Sequence, residues 1–226
     1  MYLTAILRFM GKPAAMTAVL AGLGVAAPTM AASLVENGGF EAPGGRLETY
    51  YSVGSTGMPG WTVAKLPGGD PTIQLTSNAA YGGLGVVSSE GVQFLDLTGN
   101  VGRGAGVVSN AFATISGTRY DVSFDVGAFF VAGYGSYGDS TVELLVNGAH
   151  VGSYTNTQSL TAPGSDWQRF TYSFTGNGSP TSIGLYSSLS TASSDLGVGL
   201  DNVSVEIGTA GPAVPAGTPM LATHVS

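Results

Sequence analysis

Through the second half of the chain, apolar and polar positions alternate every second residue, in short runs bounded by Gly, Asn, Ser and Pro. In TRYDVSFDVGAFF (118–130), Tyr120, Val122, Phe124 and Val126 oppose Asp121, Ser123 and Asp125. In DWQRFTYSFTG (166–176), Gln168, Phe170, Tyr172 and Phe174 oppose Trp167, Arg169, Thr171 and Ser173, and the first set reads as the core face. GVQFLDL (91–97) places Val92, Phe94 and Asp96 on one side and Gln93, Leu95 and Leu97 on the other. A period of two is the signature of a half-buried strand, and no stretch of useful length shows a helical period. Between Val142, Leu144 and Val146 and the return run holding Val151 and Tyr154 stands Asn147–Gly148, the pair that a type I′ hairpin turn requires. TSIGLYSSL and LGVGLDNVSVEI complete the series.

This pattern predicts eight to ten strands in one all-β domain, a two-sheet antiparallel jelly-roll sandwich. The segment 47–84 is less regular and reads as long loops, with Trp61 entering the core. The ends read differently. Residues 1–32 carry two positive charges, a short apolar run of small residues and PTMAAS, which predicts a secretory signal cut near Ala31 or Ala32. That apolar run is short of the roughly 20 residues a spanning helix needs, so no transmembrane helix is expected in the mature form. Residues 209–226 alternate Pro and Gly with small residues, which predicts a disordered tail after a domain at 33–208. The protein is expected to be secreted or held at a bacterial cell surface.

Charge narrows the partners. Seven Lys and Arg stand against fourteen Asp and Glu, a formal net charge of −7. Such a surface repels phosphate backbones, so no nucleic-acid partner is expected. There is no cysteine, which excludes disulfide staples and thiolate metal sites.

The order of landmarks carries a resemblance. LVENGGFEAP is followed by GMPGWTV, GVQFLDLTG, YDVSFDVGA, VELLVNGAHVG and DWQRFTYSFTG, and closes with LGVGLDNVSV. This series resembles the bacterial secreted proteins of the DUF642 and choice-of-anchor type. More widely it resembles the galactose-binding-like jelly rolls of many carbohydrate-binding modules. The resemblance implies a structural calcium ion held by Glu41 near the start and Asp201 on the last strand. Calcium takes six to eight oxygens, so two carboxylates from opposite ends would clip the termini together. The other reading of these two residues is polar side chains at strand ends, bonded to backbone. The tail VPAGTPMLAT is similar to the beginning of a Val-Pro-x-Pro sorting tail, shortened before any helix or basic cluster.

Catalytic constellations are sparse. His150 sits beside a hairpin turn and His224 in the tail, and no Gly-x-Ser-x-Gly elbow precedes a helix. The carboxylates Glu48, Glu90, Asp96, Asp121, Asp125, Glu143 and Asp201 could supply an acid–base pair, but spacing selects none, and Asp121, Asp125 and Asp96 read as solvated outer-face strand residues. Aromatic rings in two connections, Tyr50 and Tyr51 in ETYYS and Tyr134 and Tyr137 in AGYGSYG, suit stacking on a sugar, with Asp139 to accept its hydroxyl hydrogen bonds. The function expected on these grounds is an exported, non-catalytic module binding a polysaccharide or cell-wall glycan. The alternatives are a structural or adhesive surface protein acting through protein contacts, and a glycan-active enzyme with two carboxylates in one cleft.

Overall fold

The computed structural model describes residues 32–99, 102–133, 135–136, 138–157, 160–190 and 197–208. The expected leader, the expected tail with His224, and Tyr134 and Tyr137 lie outside the described residues. In chain order the strands are β1 (Glu48–Ser52), β2 (Trp61–Lys65), β3 (Thr72–Ser77), β4 (Gln93–Asp96), β5 (Ala105–Ser109), β6 (Arg119–Val131), β7 (Gly135–Ser136), β8 (Ser140–Val146), β9 (Ala149–Asn156), β10 (Gly164–Thr175), β11 (Ile183–Ser187) and β12 (Gly199–Ile207). One helical turn, α1 (Asn78–Tyr81), and a 3-10 turn (Gly82–Leu84) separate β3 from β4. No described helix is long and apolar enough to cross a membrane.

The strands form the predicted antiparallel sandwich. One sheet runs β1-β3-β4-β12-β6-β10, with β7 also paired to β6, and the other runs β2-β5-β11-β8-β9. Alternation decides the core. Val122, Phe124 and Val126 of β6, Leu95 of β4, Leu144 of β8, Leu185 of β11 and Leu200 of β12 are fully buried between the sheets. Phe170, Tyr172 and Phe174 pack against them from β10, as their spacing predicts. Asn147 and Gly148 both have positive φ, 50° and 76°, as the hairpin turn demands.

Segment 47–84 departs from the loops expected of it. It supplies β1, β2 and β3, and Trp61 is the buried first residue of β2. The polar look of TIQLTS misled because β3 is buried on both faces. Ile73 and Leu75 join the core, and Gln74 and Thr76 are buried on the other side. What covers that other side is the segment 78–92. It lays Val86 over Phe94, Phe129 and Val131 in a second apolar cluster, with Tyr81 and Trp167 at its border. Trp167 is edge-on to Phe94 and to Phe129, at 5.5 and 5.6 Å. The Trp167 indole and the Ser165 hydroxyl both donate to the Val87 carbonyl, at 2.8 and 2.9 Å, which ties this roof to β10.

The roof also corrects the expectation of solvated strand aspartates. Asp96 is fully buried and Asp125 nearly so, whereas the Asp121 carboxylate stays partly exposed. Asp125 accepts from Arg169 (3.1 Å), Asn202 Nδ2 (3.1 Å) and Ser89 Oγ (2.8 Å).

Candidate functional site

The opening motif is explained by close approach. Phe40 is fully buried against Trp61, ring centroids 5.4 Å apart. Asn37 brackets the loop, its side chain donating to and accepting from Ala42 and its carbonyl accepting from the Trp61 indole at 3.0 Å. A side chain at Gly38 would collide with the Val203 carbonyl of β12, and one at Gly39 with the Glu90 carboxylate. The two glycines therefore let the first segment lie against the last strand, where Val203 N–H donates to the Gly38 carbonyl at 2.9 Å.

Glu41 and Asp201 act on one and the same loop. Glu41 Oε1 accepts from the backbone amides of Val92 (2.7 Å) and Gln93 (2.9 Å). Asp201 Oδ2 accepts from the amides of Ser89 (2.9 Å) and Glu90 (3.0 Å) and from Ser89 Oγ (3.0 Å), and its Oδ1 from the amide of Asn202 (2.7 Å). Both carboxylates are thus spent on amide donors, the backbone-bonded reading of these residues. Calcium would need those oxygens, and among the described residues no three acidic or imidazole side chains converge into a metal site. Glu41 Oε1 and both Asp201 oxygens already hold these donors. Burial pushes the Asp201 carboxyl up to about 7 against the opposing pull of the Glu90, Asn202 and Ser89 donors.

Of the expected aromatic site, Tyr50, Tyr51 and Asp139 lie among the described residues. Tyr50 and Tyr51 are consecutive residues of a strand, so they face opposite ways. Tyr51 packs on the core and Tyr50 is half-exposed on the outer face. Asp139 is exposed beside β8, and β3, β4 and β12 lie between β1 and β6.

A different group of residues does converge, on the outer face of the five-stranded sheet. One row crosses all five strands: Ala64 opposite Gly106, Gly106 opposite Tyr186, Tyr186 opposite Glu143, and Glu143 opposite Ser153. The Tyr186 ring lies across the sheet because two glycines leave room. An added Cβ at Gly106 would stand 2.8 Å from its Cδ1 and one at Gly184 2.7 Å from its Cε2. Glu143 Oε2 accepts from the Ser153 hydroxyl and pairs with His150 Nε2 at 2.8 Å. Burial alone would raise the Glu143 carboxyl. Hydrogen bonds from Ser153, His150 and Ser188 outweigh it and hold the group below the usual carboxylate range. Burial pushes the Tyr186 phenol up, which keeps it neutral. An ionised carboxylate and the imidazole it orients, a pair able to move a proton, therefore stand on the same sheet face as the buried ring of Tyr186.

The comparisons with known proteins bear on what that surface does. The sequence profile of the HpiC1-like family, described as HpiC1 cyclase, matches residues 31–206. The chain belongs to the HpiC1-like cyclase family. No curated protein sequence matches it significantly. Among solved structures, a cyclase from Fischerella sp. TAU shares 18% identity at a TM-score of 0.50, covering 78% of this chain and 96% of that one. The CBM22-1-CBM22-2 tandem domain of Paenibacillus barcinonensis Xyn10C shares 18% identity at 0.42, covering 76% of this chain and 47% of that one. A family 35 carbohydrate binding module from Clostridium thermocellum shares 16% at 0.41, covering 70% of this chain and 97% of that one. At these identities the likeness is one of fold.

Family membership corrects two expectations. The chain falls in a cyclase family, where its landmarks had suggested the DUF642 proteins, and the expectation of a non-catalytic module is overturned. The reason is physical. A jelly roll looks the same in sequence whether its outer face binds or reacts, since both demand the same inward alternation. Of the residues now brought together, Glu143 and His150 were visible as a carboxylate and a hairpin imidazole. Tyr186 and Ser153 were not singled out. Their signal was GLY in SIGLYSS, a glycine two places before an aromatic on one strand face, and the shared outward parity of Glu143 and Ser153.

Proposed function

We propose that this chain is a ring-closing enzyme acting on an unsaturated small molecule, with the outer face of the five-stranded sheet as its site. The observation that carries the reading is the convergence of Tyr186, Glu143, His150 and Ser153 on that face of a cyclase-family chain. Ring closure by proton addition and proton loss leaves the molecular formula unchanged. It needs a group that gives and takes a proton, and a surface that stabilises the cation formed between. Glu143, held ionised by Ser153 and His150, sets the His150 proton on Nε2. In its imidazolium form this exposed ring carries a second proton on Nδ1, which it delivers to a carbon–carbon double bond, and the neutral ring left behind recovers a proton from carbon at Nδ1 after the new ring bond forms. The Glu143 carboxylate stabilises the intermediate charge. The export reading of the N-terminus places this reaction outside the cytoplasm.

The test is incubation with a panel of linear polyenes and alkenyl aromatics, read by chromatography with mass detection for isomers of unchanged mass. A new isomer is expected, formed roughly 10²-fold or more slowly by His150→Asn, the scale of a lost acid–base group. An isomer formed at full rate by His150→Asn would remove this site from the reaction.

A further inference from the structure

We infer a second binding site, for a small apolar carboxylate, at the rim of the seven-stranded sheet between the first segment and the roof. It stands apart from the ring-closing reading and shares no residue with it. A cavity of about 340 Å³ is lined there by Arg46, Leu47, Ser77, Ala79, Val92 and Gln93, among others. Its two sides are cross-strand neighbours, since Ser77 of β3 pairs directly with Gln93 of β4.

Three observations select the ligand. Leu47 and Val92 are 62% and 58% exposed, two large aliphatic side chains left to water on the walls of one cavity. Isolated exposed aliphatics need no explanation, but a pair lining a concavity presents an apolar surface for a ligand. Arg46 stands exposed among them, and its guanidinium forms no ion pair or hydrogen bond among the described residues, whereas Arg119 and Arg169 are both paired to aspartates. Finally, the Ser77 hydroxyl is buried with no hydrogen-bond partner, although the residue is only 6% exposed. A buried hydroxyl without a partner is costly, and one lining a cavity points to a ligand group that would complete it. Gln93 is fixed meanwhile, its amide donating to the carbonyls of Phe40 (2.8 Å) and Pro43 (3.2 Å), so that wall is rigid. A guanidinium and a hydroxyl are donors suited to a carboxylate, and the guanidinium offers two parallel N–H groups to its two oxygens. The aliphatic walls take a short hydrocarbon tail.

The probes are hexanoate and hexan-1-ol, titrated into the full chain with amide chemical shifts followed by NMR. Hexanoate is expected to shift the amides of Gly45, Leu47 and Asn78 and to bind roughly tenfold more tightly than hexan-1-ol, the scale of one charge-assisted hydrogen bond at a partly exposed site. Arg46→Gln should abolish that preference and leave the fold intact, because Arg46 supports no other contact. Ser77→Ala should weaken hexanoate while holding or raising stability in its absence, a combination that a purely structural hydroxyl would not produce. Equal binding of the two probes, a preference that survives Arg46→Gln, or the absence of shifts at these amides would each overturn the site.

Discussion

Replacing Asp201 by Asn probes the balance between burial and hydrogen bonding most directly. The side chain is fully buried and its oxygens receive four donors, Ser89 N, Ser89 Oγ, Glu90 N and Asn202 N. Those donors favour the ionised form, burial favours the neutral one, and burial prevails, moving the group from 3.8 to about 7. Geometry supports a bound proton. The Ser89 hydroxyl has one hydrogen but lies within bonding distance of two carboxyl oxygens, Asp125 Oδ2 at 2.8 Å and Asp201 Oδ2 at 3.0 Å, so one further proton completes the pair. The neighbouring charges, Asp125, Glu90 and Arg169, are common to wild type and variant. A carboxyl raised in the folded state stabilises most below its unfolded value and loses that contribution as pH rises through its folded value. The difference between 3.8 and about 7 corresponds to about 4 kcal/mol, lost between about pH 4 and 8. Asn cannot titrate, and it forfeits about 1 kcal/mol for one acceptor turned donor. Urea unfolding of both proteins from pH 4 to 8 measures the effect. The stability of wild type relative to Asp201→Asn should fall by about 4 kcal/mol over that window. A difference that stays constant, or grows as pH rises, would show that the four donors prevail and refute the reasoning.

Three further substitutions act on crowded glycines and on the Glu143 hydrogen bonds. Gly199→Ala should destabilise by about 1–3 kcal/mol in chemical unfolding, because its Cβ would stand 2.8 Å from Trp167 Cη2 and press on Phe129. Gly38→Ala should be worse, since the Val203 backbone carbonyl cannot move aside as a side chain can. Ser153→Ala removes a hydrogen bond that lowers the Glu143 carboxyl, so its titration followed by carbon NMR should move upward. Because Glu143 is depressed in the folded state, its stabilising contribution is present above 4.5 and is lost as pH falls, and Ser153→Ala should shrink that loss.

Alternation made the frame of this protein legible. A period of two in β6, β10 and β12 has only one economical reading, because a one-residue slip would turn Phe124, Phe170 and Leu200 out to water. The Asn147–Gly148 turn was legible for a similarly local reason, as few residue pairs accept two positive φ angles. β1 and β3 were not legible. β1 is an edge strand of alternately exposed and half-buried residues, and the polar residues of β3 contradict burial until the roof 78–92 is in place, which nothing in the local pattern of 78–92 foretells. The same contact encloses Asp201 and also Asp125, which alternation alone assigns to solvent.

The amino-acid order by itself therefore determined the fold class and the inward face of most strands. These rest on side-chain parity, which is a property of neighbours in the chain. Tertiary structure alone decided the partners of the polar groups. Glu41 and Asp201 settle on the amides of residues 89–93, Tyr186 settles over Gly106 and Gly184, and Glu143 meets His150 and Ser153. A buried carboxylate takes whichever donors the fold brings within about 3 Å, and which strands stand side by side is set by the packing of the whole core.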